Sequence, residues 1–508
     1  MSHLINEKGF AFTLTIFLML IISILGLALI SLTNNEEKSI VSQVRLEKCF
    51  YITEGGLERG ILRVKEEEYV GSFSEDLGEG DYTVTITDLG NRRYIVDSRG
   101  CIDRNGSPIK RGIKAQIEIG RIIPPLFNYS YFINNWGWYW GHDITSNGDI
   151  RSNGRFDFVD GPMVNGYIYA GLDIDDHGTP VRGTGGQADH QHPFSEKLEM
   201  PNLQNLDYYE QLANDRGGSI KIDGVTLVDK VFGDEPGESG NIVLIGTSSE
   251  PIEIDGPVVV TGDVVIKGKI TGQGTIYTGR NIYIADDIDY KKAPSSPRPA
   301  SENPSVVDGW VEAHKDDDLV AFAAKENIVM GDYTKDPHFG YYDSDKWYSN
   351  YYLFDMGSED VGMDGIPDTG DIGEDDGIFN PSYEDLDGDG IFDDDYNWSD
   401  IQTQEDITNF YNVPIDVTEF GDLASLDTNK VEGVFYTNHA FAGRTGNGIH
   451  MNGAIVSKDE AIVYRNTITF NYDERINTRY VTDPNRFVDL GLPTVETAVI
   501  LSWQEVKQ

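Results

Sequence analysis

Carboxylates dominate the chemistry this chain could do. Between Asp355 and Asp400 there are 17 Asp and Glu residues and no Lys or Arg. A motif recurs there, as Asp364-Gly-Ile-Pro-Asp368, Asp376-Gly-Ile-Phe-Asn380 and Asp389-Gly-Ile-Phe-Asp393. So many like charges close together repel by an amount on the order of kcal/mol even when partly screened, and bound cations would relieve that. In the third repeat Asp385, Asp387 and Asp389 stand at alternate positions, Gly390 permits a sharp turn, Ile391 can offer its carbonyl, and Asp393 follows. The first repeat offers Asp360, Asp364, Asp368 and Asp371. Hard oxygen ligands on a flexible Gly-hinged loop favour Ca²⁺ over Mg²⁺, which demands a tighter octahedron, so Ca²⁺ is the expected cofactor. The plain alternative is a solvated acidic loop.

The third repeat resembles an EF-hand loop through its ninth place, but Tyr396 stands where the bidentate Glu would be. Asp394 or Asp395 could supply that oxygen, an arrangement similar to the aspartate-rich loops of thrombospondin-type repeats. Asp189-His190-Gln191-His192 sets two imidazoles on one side of an extended segment, a transition-metal pair that lacks a third ligand in the sequence. Trp136, Trp138 and Trp140, with Tyr139 among them, could form a surface that stacks on glycans; aromatic runs more often fill a core or a domain interface. No nucleophile elbow, His-Glu-x-x-His, phosphate loop or CxxC occurs, so no enzyme is expected. A membrane-tethered, calcium-dependent adhesin or polysaccharide-acting surface enzyme on a β-helix is the alternative.

These groups need elements to carry them. With 508 residues, several domains are expected. The balance of 40 Lys+Arg against 85 Asp+Glu, net −45, argues against a nucleic-acid partner, which needs a basic footprint. At 39% hydrophobic and 11% aromatic the chain is nonetheless globular. Cys49 and Cys101 are the only cysteines; they could form one disulfide in an oxidising envelope or stay as buried thiols.

The N-terminus presents a different chemistry. Lys8-Gly9 precedes an apolar run from Phe10 to Leu32 with no charge inside, enough helix for a bilayer core about 30 Å thick. The run is too long for a signal-peptide core of about 7–15 residues, and no Ala-x-Ala-like site closes it. The short polar leader ending in Gly9, the segment SLTNNEEKSI and the segment FYITEGGLERG resemble the N-terminal region of PilX-type minor pilins and GspK-type pseudopilins over about the first 65 residues. That resemblance implies cleavage by a prepilin peptidase between Gly9 and Phe10, methylation of the new terminus, and packing against other pilins or pseudopilins through the N-terminal helix. It also implies a single pass through membrane lipid, with the C-terminal bulk outside, and later a place in a cell-surface pilus or periplasmic pseudopilus. Major pilins carry Glu at the fifth mature position; Leu14 stands there, and an unpaired buried amine is costly. A subunit at or near the filament tip, supporting assembly and surface attachment, is the expectation.

Beyond the span, Leu46, Phe50, Leu57, Ile61 and Val64 recur at helical spacing, with a bend expected at Gly55-Gly56. GDYTVTITDL, RRYIVDSRGC and GIKAQIEIGRII alternate as antiparallel strands do. Short β-branched runs with Gly corners every five to eight residues favour stacked β-helix-like rungs or a tightly coiled meander over a sandwich, and GIHMNGAIVSKDEAIVYRNTITFNYD reads as a later rung of the same body. The fold class expected is α+β: a long pilin-like helix on a small antiparallel sheet, then a mostly-β body with an acidic calcium-loop insert. The divisions are leader 1–9, transmembrane half-helix 10–32, helix and sheet 33–122, β-rich domain 127–290, linker and mixed segment 291–354, acidic insert 355–400 and a C-terminal part 401–508 completing the body.

Overall fold

The uncharged run at the N-terminus lies in one helix, α1 (Glu7–Glu67). The computed structural model describes residues 7–67, 69–103, 108–203, 205–234, 238, 240–332, 360, 379–380, 417–425, 428–444, 448–458, 461–464, 467–481 and 490–506. Leu14–Thr33 of α1 is long and apolar enough to cross a membrane, and none of it is buried in the fold.

The chain divides into two compact units, residues 1–122 with 496–508, and residues 123–495. In the first, the C-terminal half of α1 packs on strands β1 (Gly71–Leu77), β2 (Gly80–Gly90), β3 (Arg93–Ile102) and β4 (Ile109–Ile122), which pair antiparallel in sequence order. Alternation puts Tyr82, Val84, Ile86, Ile113, Ala115, Ile117 and Ile119 on the helix side. The β2–β3 turn is made by Asn91 and Arg92 at φ 54° and 55°, the left-handed pair that a two-residue hairpin requires. A fifth strand, Val495–Val506, lies beside β4.

The helix runs on through Gly55-Gly56, where glycine serves close packing. A Cβ at Gly56 would come within 2.5 Å of Ser98 Oγ, and one at Gly60 within 2.7 Å of Val96. Of the expected stripe, Leu57 and Val64 are buried, together with Cys49, Ile52, Thr53, Gly56 and Gly60, while Leu46, Phe50 and Ile61 are only half-buried. Gly56 and Gly60 let the helix approach the sheet closely between the buried Ile52, Leu57 and Val64.

The second unit is a stack of short parallel strands whose inward residues line up in columns. One column runs Val258, Ile276, Phe322, Phe435, Ile455, Tyr131, Ile150 and Ile168, all buried. The stacking order is not the chain order: Tyr131–Ile133, early in sequence, lies on Ile449–Ser457, and the stack grows from there to Ile168–Ala170. Asparagines continue the same path, since Asn165 donates to Asn147, Asn147 to Asn471, Asn471 to Asn452 and Asn452 to Glu432. Each amide both donates and accepts, so a ladder of them satisfies polar corners rung after rung. Two segments flank the stack: Leu203, Tyr209 and Ala213 from one, and Leu490 and Leu492 from the other, pack with Val259, Tyr277, Ala321, Tyr436 and Val456. An antiparallel hairpin, Ser219–Ile222 with Val225–Asp229, pairs with the edge strand Ile252–Asp255.

The expected α+β class does not hold. Among the described residues the protein is mostly β, with 44% strand against 24% helix, and α1 is the one helix among them that packs on a sheet in the first unit. Strand dominates because most of the body is built of short β-branched runs broken by glycine corners, which suit stacked strands better than helix. Within the stretch 291–354, the helix Pro304–His314, capped by Asn303, is followed by the fully buried strand Leu319–Ala324. Val495–Val506 joins the first unit's sheet rather than completing the body.

Candidate functional site

A strand turns alternate side chains to opposite faces, and this decides what the tryptophans do. In Gly137–Trp140, Tyr139 points inward onto Tyr131, Phe156 and Phe158, so Trp138 and Trp140 point out. Trp140 is 65% exposed and Trp136 37%. Trp136 and Trp138 stack, with ring centroids 6.0 Å apart at 17°, and Trp138 meets Trp140 edge-on at 64°. The core-cluster reading therefore applies to Tyr139 and not to its neighbours.

The next two rungs put charge beside this row. Parallel register pairs Trp138 with Asp157 and Asp157 with Asp175. The amide of Gly137 donates to the Arg155 carbonyl, and that of Phe156 to the Asp173 carbonyl, so Trp136, Arg155 and Asp173 form the adjoining column. Trp136 Nε1 donates to Asp157 Oδ2 at 2.8 Å. Arg155 makes ion pairs at 2.8 Å to Asp157, 2.7 Å to Asp175 and 3.5 Å to Asp173. Burial works against the Arg155 charge, but the three carboxylates outweigh it and hold its pKa above the ordinary value. The His177 amide, with help from the charges of His177 and Arg155, holds Asp175 below the usual carboxylate range. Asp157, Asp175 and His177 offer ligand atoms within 4.8 Å of one another, as a metal site would, but the guanidinium of Arg155 already sits on both carboxylates. The result is an outward face with aromatic rings on one edge and alternating donors and acceptors on the other.

The other sequence candidates are scattered. Asp364, Asp368, Asp371, Asp385, Asp387, Asp389, Ile391 and Asp393 lie outside the described residues, and Asp360 alone of the calcium set is described. Gly9 and Phe10 fall within α1. Cys49 and Cys101 are both free, with the Cys49 thiol donating to the carbonyls of Gly100 and Ile109. His190 and His192 are stacked on Tyr167 and Tyr169, with centroids 4.4 and 4.9 Å apart, in an aromatic ladder across rungs. Sequence reading missed Arg155, Asp157, Asp173 and Asp175. The available signal was the spacing of Asn147-Gly148 and Asn165-Gly166, which sets the rung length and so the residues that stack on Trp136 and Trp138.

No family model and no curated protein matches the chain. Among solved structures it is similar to the competence-associated pilin ComZ from Thermus thermophilus, at 10% identity and a TM-score of 0.30, covering 90% of this chain and 97% of that one.

Proposed function

We propose that this protein is a structural, non-catalytic subunit of a type IV pilus or related filament, of the PilX/GspK-like minor-pilin kind. The observation that carries this reading is α1 itself: one continuous helix whose apolar N-terminal half touches nothing in the fold while its C-terminal half is packed on an antiparallel sheet. An unburied apolar half-helix suits membrane lipid first and neighbouring pilin or pseudopilin helices later, as in a subunit drawn from a bilayer into a filament. Leu14 in place of an acid, together with the bulk of a 373-residue second unit (Ile123–Val495), favours a position at or near the tip. The Asp-Gly-Ile repeats support a Ca²⁺-binding insert through their oxygen-rich spacing.

Mass spectrometry of the mature N-terminus tests this reading. A chain beginning at Phe10 with a methylated amine is the expected result; an intact Met1, or cleavage after Leu32, overturns it.

A further inference from the structure

We propose that the outward face of the rungs Gly137–Trp140, Phe156–Val159 and Ile174–Asp175 binds a neutral polysaccharide. Trp138 and Trp140 lie on one strand and Trp136 directly precedes it, so their rings form a row rather than a pocket, and a row suits an extended polymer. The apolar C–H faces of a pyranose ring pack on indole as other apolar surfaces do. One rung away stand acceptors and a donor side by side: Asp173 and Asp175, with side chains 53% and 38% exposed, around Arg155 at 40%. A hydroxyl both donates and accepts, so vicinal hydroxyls match that alternation in a way that neither a purely cationic nor a purely anionic ligand does.

Charge narrows the class further. The whole chain carries −45, which disfavours anionic polymers such as uronates and nucleic acid. Arg155 occupies the middle of the carboxylate group, which disfavours an ammonium-bearing polymer there. What remains is an uncharged sugar chain, lying along the tryptophan row with its hydroxyl edge towards Arg155, Asp173 and Asp175. The face needs no contribution from the filament, so this proposal stands or falls apart from the assembly reading: N-terminal mass spectrometry decides that one and is blind to this.

The test is retention of the full-length chain, in detergent, on insoluble cellulose, mannan and xylan, with alginate as the anionic probe and chitosan as the cationic one. The expected result is retention on at least one of the neutral polymers that persists in 1 M NaCl, where the Debye length is about 3 Å. Trp140→Ala should weaken it about tenfold, and Asp173→Asn several-fold, with melting curves unchanged because both side chains are exposed. If Trp140→Ala alters folding, Asp173→Asn decides. No retention on any neutral polymer, equal retention by both variants, or retention confined to alginate or chitosan overturns the proposal.

Discussion

Arg475 gives the sharpest test of how the second unit holds together. Its side chain is fully buried, as is nearly all of Asp473. A guanidinium has five N–H donors, and here every nitrogen is engaged. Nε donates to Asp473 Oδ1 at 3.0 Å, and Nη2 donates to Asp473 Oδ2 at 2.6 Å and to the Asp318 carbonyl at 3.1 Å. Nη1 donates to the carbonyls of His314 and Asp317, each at 3.1 Å. Those carbonyls belong to the segment that leaves the stack after Tyr290 and returns at Leu319, so one side chain pins that insertion to the residues that follow the strand Ile468–Tyr472. Arg475→Met keeps the volume but strands a buried carboxylate and three carbonyls. Breaking such a pair from one side costs about 3–5 kcal/mol, and the orphaned carbonyls push the value toward the upper end. In a unit this large, about 2 °C per kcal/mol is expected, hence a fall in Tm of roughly 6–10 °C. Arg475→Lys should recover little, because an ammonium has three donors on one atom. The double variant Asp473→Leu/Arg475→Met removes both charges and should regain most of the loss. Thermal melting of the full chain, with limited proteolysis between residues 291 and 318, reads all three. A single Met variant within about 1 kcal/mol of wild type, or a double variant no better than the single, refutes the clamp.

Two further outcomes follow from the titratable groups. His439 is fully buried and burial pushes its pKa down to about 3, so the fold holds it neutral. Its contribution is complete above the unfolded value near 6.5 and is lost as pH falls towards 3, on the order of 5 kcal/mol. Asp263 and Glu474, raised by burial to about 6 and about 7, act with the opposite sign and lose stability as pH rises through those values. The informative measurement is therefore the difference in urea stability between wild type and His439→Asn from pH 7 to pH 4. That difference should shrink steadily on acidification, and a constant difference would count against the burial argument. For the acidic insert, Ca²⁺ at 100 times its Kd should stabilise by about 2.7 kcal/mol, reversed by EGTA; an unchanged Tm at millimolar Ca²⁺ sinks the calcium reading.

Legibility in the sequence tracked whether the signal was local. The strands β2, β3 and β4 show the alternation of their own residues, and the uncharged run in α1 needs no partner to be recognised. The helix stripe was legible at Leu57 and Val64, whereas Thr53, Gly56 and Gly60 carry no hydrophobic signal of their own and matter only through what they let approach. The candidate face was half visible: three tryptophans announce themselves, whereas Asp157, Asp173 and Asp175 acquire meaning only when rung spacing places them beside the row. Inside the stretch expected as linker and mixed segment, Leu319–Ala324 is a continuous buried run, the pattern of a central parallel strand, which a short apolar run alone does not distinguish from buried helix.

The position of Val495–Val506 has a consequence for how such a chain folds. Arg121 pairs with Glu496 at 2.8 Å and Arg111 pairs with Glu505, so this last strand runs antiparallel to β4. In sequence, the whole of Ile123–Val495 is thus an insertion between two hydrogen-bonded neighbours of one small sheet. Closing a flexible loop of that length would cost entropy that grows as (3/2)RT ln n, and every pairing between β4 and the last strand would have to offset it. If the insert folds first, its own rungs bear that cost and its ends arrive already close together, the condition under which inserted domains are tolerated. The sheet would then be completed only once Val495–Val506 has been made. Until that happens the edge of β4 is left open, with Ile113, Ala115, Ile117 and Ile119 already committed to the helix side.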